Sequence, residues 1–83
     1  MVMYYVYILT CADGTLYTGL TVDLKRRVQE HNASKLGAKY TKIRRPVKLA
    51  YSKRYRTRSI AAKTEARIKS LTRIQKVKLI KDK

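Results

Sequence analysis

Met3 to Leu9 is dense in aromatic and β-branched residues and too short to favour a helix, so it predicts a strand. Ala12-Asp13-Gly14 then carries turn chemistry, and Thr15 to Gly19 resumes β-type residues, which together predict a hairpin. Loop length decides the register. With a three-residue loop and Gly14 left-handed, Leu9 faces Tyr17 and Tyr7 faces Gly19, so both tyrosines share one sheet face. A two-residue Asp13-Gly14 loop would put them on opposite faces.

From Asp23 to about Asn32 the period is helical, with Leu24, Val28 and His31 on one side and Thr21 or Asp23 available as cap. Ala33 to Arg45 has no period and reads as a basic loop closed by Pro46. Val47, Leu49 and Tyr51 alternate with Lys48, Ala50 and Ser52, predicting a half-buried third strand that runs to about Tyr55. Thr57 or Ser59 can cap a second long helix with a stripe of Ile60, Thr64, Ile68 and Leu71. Thr72-x-x-Gln75 is a capping-box pattern, so a third helix follows, with Ile74, Val77 and Ile80 or Leu79 as its apolar positions. The order is ββαβαα. It predicts an α+β architecture, a small three-stranded antiparallel sheet flanked by helices.

Nothing in the composition divides the chain, so residues 1–83 are expected to form one domain with a thin core. The lone cysteine, Cys11, has no partner for an internal disulfide and reads as a small apolar filler at a strand end. That fits a reducing cytoplasm. No apolar run approaches the roughly 20 residues of a membrane span, and Met3 to Leu9 is too short and polar for a signal peptide. Charge changes the picture most: 21 Lys and Arg against 5 acids give a net +16, more than solubility requires. The expected partner is a polyanion. Because the cations run from Lys25 to Lys83 rather than along one amphipathic helix, nucleic acid is favoured over a membrane surface.

Arg27 and His31 lie four apart at the edge of the Leu24/Val28 stripe, placed to reach out beside the sheet. A guanidinium suits a scissile phosphate because its planar fork donates two parallel hydrogen bonds and stays charged. The plainer role for Arg27 is an ion pair with Asp23 or Glu30 on its own helix, and for His31 a structural one. Glu65 lies beside Ala61 and Ile68 at the margin of the buried helix face, where a carboxylate can be held rigidly. One or two carboxylates are enough for a hard cation that keeps water and phosphate oxygens. Its plainer role is an i,i+4 pair with Lys69. Of the seven tyrosines, most are expected to pack the sheet. A phenol can also accept a proton, but at its free pKa of about 10 it needs a nearby cation to do so near neutral pH.

These residues resemble a known family. Tyr5-Val6-Tyr7, then Tyr17-Thr18-Gly19, then Arg27-x-x-x-His31, then Glu65 on a later helix is similar to the ordered motif set of GIY-YIG nucleases. Gly37-Ala38-Lys39-Tyr40-Thr41 and Arg45-Pro46-Val47 look like the connecting segments of its small stand-alone members. Tyr5 stands where the name-giving Gly does, Thr18 replaces the second motif's Ile, Leu20 follows where some relatives carry Lys, and the only Asn is Asn32. The resemblance implies the three-stranded sheet and a single Mg2+ or Mn2+ ion held by Glu65. It further implies that Tyr7 or Tyr17 acts as, or positions, the general base, that Arg27 stabilises the phosphate, and that His31 orients a tyrosine or takes part in proton transfer.

The resulting expectation is a metal-dependent endonuclease cutting DNA phosphodiesters, structure-dependent or weakly specific. A non-catalytic nucleic-acid binding module on the same scaffold is the alternative. Gly19, Lys35, Lys39, Tyr40, Lys42, Arg44 and Arg45 are the expected nucleic-acid contacts. Branched DNA, single-stranded DNA and RNA stay open as substrates, as do monomer and homodimer.

Overall fold

The computed structural model describes residues 2–82. Its elements are β1 (Tyr4–Thr10), β2 (Leu16–Thr21), α1 (Leu24–Ala33), α2 (Lys39–Lys42), β3 (Lys48–Tyr55), α3 (Arg58–Lys69) and α4 (Arg73–Lys81). The sheet is three-stranded and antiparallel, in the order β2-β1-β3, so the α+β expectation holds. The one added element is α2, a single turn within the segment read as a basic loop.

The hairpin adopts the three-residue loop. Gly14 has φ of 84°, its N–H bonds the Cys11 carbonyl at 2.9 Å, and Cys11 N–H bonds the Thr15 carbonyl at 2.9 Å. Register follows: Tyr7 lies opposite Gly19 and Leu9 opposite Tyr17, so both phenols start from one face. Each long helix begins at a capped residue. Asp23, Thr57 and Thr72 accept from the backbone N–H three residues on, and Thr72 with Gln75 completes the capping box.

Two sequence expectations need correction. Val47, Leu49 and Tyr51 do not form one stripe, because Ile8 pairs with Tyr51 while Leu9 pairs with Leu49, leaving Ala50 as an extra residue in β3. The bulge reverses the alternation. Tyr51 therefore packs with Val6 and Ile8, whereas Val47 packs with Tyr7, Leu9 and Cys11 on the other face. On α3 the inward residues are Ala61 and Ile68, and Ile60 is exposed. At about 100° per residue, seven positions return to within about 20° of the start and eight overshoot by about 80°, so Ile68 shares its face with Ala61. On α4, Leu79 and Ile80 meet the core and Ile74 is exposed.

The sheet is covered on both faces. Val6, Ile8 and Tyr51 meet α3 through Ala61 and Ile68, with Leu71, Leu79 and Ile80 around them. Tyr7, Leu9, Cys11 and Val47 form the second cluster, flanked by Tyr17, Leu24 and Val28. Burying each large apolar side chain contributes about 1.5–3 kcal/mol, so the two clusters together hold the domain.

Candidate active site

Tyr7 is the centre of the second face. It is only 1% exposed, and its ring lies across Gly19 of β2, where an added Cβ would collide with the phenol oxygen and Cζ. Glycine at that position lets the phenol cross the strand. Its oxygen meets His31 Nε2 at 2.9 Å, and His31, fully buried, places Nδ1 2.8 Å from Thr41 Oγ1. Tyr17, half-buried, sets its ring edge-on to His31 with centroids 5.2 Å apart and stacks on Tyr40 at 5.9 Å. Arg44 lies over the Tyr40 ring, 3.9 Å from its centroid, and its Nε lies 3.0 Å from Asp13.

Arg27 is held from two sides. Nη1 donates to Glu30 Oε1 at 2.9 Å and to the Leu36 carbonyl at 2.7 Å, and the guanidinium lies near enough to the Tyr7 phenol for each to shift the other's titration. Burial opposes its charge, yet Glu30 and Tyr7 outweigh burial and hold its pKa above the usual value. Tyr7 itself is pushed up to about 12, chiefly by burial; the nearby Arg27 guanidinium opposes this, and the charges of Tyr17 and Glu65 add to it. His31 is brought down to about 4 by burial and then by the Arg27 charge, so it is a neutral imidazole at working pH.

Glu65 projects from α3 between Ala61 and Ile68 and is partly shielded, and its carboxylate is felt at Tyr7. Lys69 Nζ lies 3.2 Å from it, so the i,i+4 pair forms. The Arg27–Glu30 pair forms too, at 2.9 Å. Among the described residues no group of three or more His, Cys, Asp or Glu is placed to hold a metal ion. A single shielded carboxylate, balanced by one mobile lysine, fits a hard cation that takes its other ligands from water and phosphate.

Of the expected nucleic-acid contacts, Lys35, Lys39, Tyr40 and Lys42 are exposed. Arg45 turns inward, and its guanidinium donates to the carbonyls of Glu30, His31 and Ser34 at the end of α1. Gly19 is buried under Tyr7. Asn32 grips the backbone of Val47 with both amide atoms, at 3.0 and 2.7 Å, and so ties α1 to the start of β3. Thr41, Glu30 and Asn32 were not singled out by sequence as site-shaping residues. Glu30 was legible only as a helix partner of Arg27, whereas the partners of Thr41 and Asn32 are a side chain and backbone atoms that the fold alone brings near.

A small α+β domain gathers two phenols, an imidazole and a guanidinium on one sheet face, while Glu65 projects from α3, the helix that covers the other face. The chain belongs to the GIY-YIG family: the model of the GIY-YIG catalytic domain matches residues 3–78. It is 56% identical over 77 residues to a UPF0213 protein of Syntrophus aciditrophicus, covering 93% of this chain and 88% of that protein. To a UPF0213 protein of Staphylococcus aureus it is 51% identical over 80 residues, covering 96% of each. Two solved structures are similar. A UPF0213 protein of Bacillus halodurans gives a TM-score of 0.65 at 42% identity, over 98% of this chain and 85% of that one. A protein of E. faecalis gives 0.69 at 44% identity, over 99% and 86%. The family is one of nuclease domains, and the fold here is that of its UPF0213 members.

Proposed function

We propose that the chain is an endonuclease that hydrolyses DNA phosphodiester bonds with Mg2+ or Mn2+ held at Glu65. The observation that supports this most is the convergence of Tyr7, Tyr17, His31 and Arg27 on one sheet face: His31 bonds the Tyr7 oxygen, Tyr17 sets its ring against His31, and the Arg27 charge bears on both Tyr7 and His31. The bound cation would polarise the scissile phosphate and neutralise the leaving oxygen. Arg27 turns its free N–H groups to the phosphate and stabilises the charge that builds there, with Glu30 and the Leu36 carbonyl fixing its direction. Tyr17, the more accessible of the two phenols, takes the proton of the attacking water as its phenolate, its own proton having first passed to solvent. Tyr7, buried and high in pKa, faces Arg27 and excludes water.

Lys35, Lys39 and Lys42 follow the nucleic-acid backbone as exposed cations, and Tyr40, stiffened between Tyr17 and Arg44, offers a flat face beside them. Cys11 is a free buried thiol, consistent with a reducing cytoplasm. No helix among the described residues is long and apolar enough to cross a membrane.

Glu65→Gln keeps the shape of the side chain and removes its charge. It should abolish cleavage of labelled DNA in Mg2+ or Mn2+ while leaving binding, followed by gel shift, close to that of the parent. A binding module on the same scaffold is the competing reading, and the Lys69 pair that occupies Glu65 favours it. Equal products from parent and variant, or none from the parent on branched, flapped, single-stranded and duplex DNA with metal, would support that reading instead.

A further inference from the structure

Three buried side chains make a relay from the site into the protein, and the ends of that relay fix its direction. Thr41 is fully buried, and its Oγ1 lies 2.9 Å from the Ala38 carbonyl and 2.8 Å from His31 Nδ1. A carbonyl oxygen only accepts, so the single hydroxyl proton of Thr41 goes to Ala38, and Thr41 has only lone pairs left for His31. Nδ1 must then carry the imidazole proton. A neutral imidazole has one proton, so Nε2 is bare and accepts from Tyr7, 2.9 Å away.

We propose that Thr41 is a positioning residue that fixes His31 in its Nδ1-protonated tautomer and so aims the Tyr7 hydroxyl proton inward, at His31 Nε2. This rests on the nuclease reading only for its effect on cleavage; the tautomer itself does not. The other tautomer reverses every bond in the relay. Nε2–H would donate to the Tyr7 oxygen, the phenol proton would swing toward Arg27, and two donors would oppose each other, because a guanidinium accepts nothing. At the far end, Thr41 would give its proton to Nδ1 and face the Ala38 carbonyl lone pair to lone pair. With the proton inward, the Tyr7 oxygen keeps a lone pair free to face the nearby Arg27 charge, which the Glu30 carboxylate and the Leu36 carbonyl hold in place.

The chain has one histidine, so its imidazole nitrogens are read without ambiguity in a long-range 15N–1H NMR spectrum. The parent should show a protonated-type Nδ1 and a bare-type Nε2. Thr41→Val removes the acceptor and should shift His31 toward Nε2–H, while Thr41→Ser, which keeps the hydroxyl, should restore the parent pattern. In cleavage assays Thr41→Val should lower kcat by about 10- to 100-fold with KM nearly unchanged, and Thr41→Ser should recover most of it. A parent spectrum with Nε2–H dominant overturns the proposal without any variant, and so does an unchanged tautomer in folded Thr41→Val. A parent that shows the expected tautomer yet cuts no DNA leaves the positioning role standing and sinks the nuclease reading.

Discussion

The two faces of the sheet are built to opposite rules. Under α3 and α4, Val6, Ile8 and Tyr51 meet Ala61 and Ile68, and stability there comes from removing apolar surface from water. Under α1 and α2 the equivalent depth holds a histidine and a threonine, with the phenol of Tyr7 bonded to the first. Each buried polar atom of that relay has a partner, as low dielectric demands. The apolar face tolerates any filling of the right volume, whereas the polar face works only in one arrangement of protons. One face is held by apolar packing alone, and the other by a chain of buried polar bonds as well.

The largest effect that separates them is a cavity on the apolar face. Ile68→Ala should cost about 2–5 kcal/mol, seen as a lower denaturant midpoint with unchanged slope. That is a large share of the roughly 4–12 kcal/mol expected for a chain of this length. The His31 imidazole signals should stay where they are. Movement of those signals would break the comparison, since it would mean that the apolar core also sets the proton arrangement across the sheet.

Acid acts on the other face. His31 is neutral when folded down to about pH 4 but takes a proton near 6.5 when unfolded, so between those values the unfolded chain binds more protons. Its contribution to stability is therefore complete above pH 6.5 and is lost as pH falls toward 4, by up to about 3 kcal/mol. Asp13, lowered by hydrogen bonds from Thr15, also loses stability in acid, but only below its ordinary 3.8, so the window belongs to His31. Melting curves from pH 7 to 4 should show this slope, and His31→Gln should flatten it. A parent with no slope in that range would mean that the imidazole is already charged or is open to water.

Sequence carried the hairpin and narrowed its register to two loops over Ala12, Asp13 and Gly14, and the structure selects the three-residue one, which sets Tyr7 against Gly19. The caps at Asp23, Thr57 and Thr72 were legible for the same local reason. What could not be read depends on contacts far along the chain. The extra residue at Ala50 leaves the alternation of β3 intact on paper while splitting Val47 from Tyr51 in space. Arg45 looks like any other cation of its segment, yet the open carbonyls at the end of α1 draw it inward. Thr41 was visible only as part of a connecting segment, with nothing to mark its bond to His31, since that partner is ten residues away and reached only once α2 folds against α1. Of the candidate site, the side chains Tyr7, Tyr17, Arg27, His31 and Glu65 were visible as types at a spacing. Their supports were not.

The smallest effect gives the sharpest comparison, because it makes one substitution on each face and expects opposite signs. Thr18 lies opposite Ile8, so its side chain enters the apolar face, where its Oγ1 is buried with no hydrogen-bond partner among the described residues. A buried hydroxyl without a partner costs about 1–3 kcal/mol, and valine has nearly the same shape. Thr18→Val should therefore raise stability by about 1 kcal/mol, a gain of about 4–8 °C in the melting temperature. Thr41→Val should lower it, because it strips the His31 Nδ1–H of its acceptor. If both valines stabilise, burial alone governs the two positions and the proton relay adds nothing to the fold. If both destabilise, Thr18 has a partner of its own, and the apolar face is less simple than its side chains suggest.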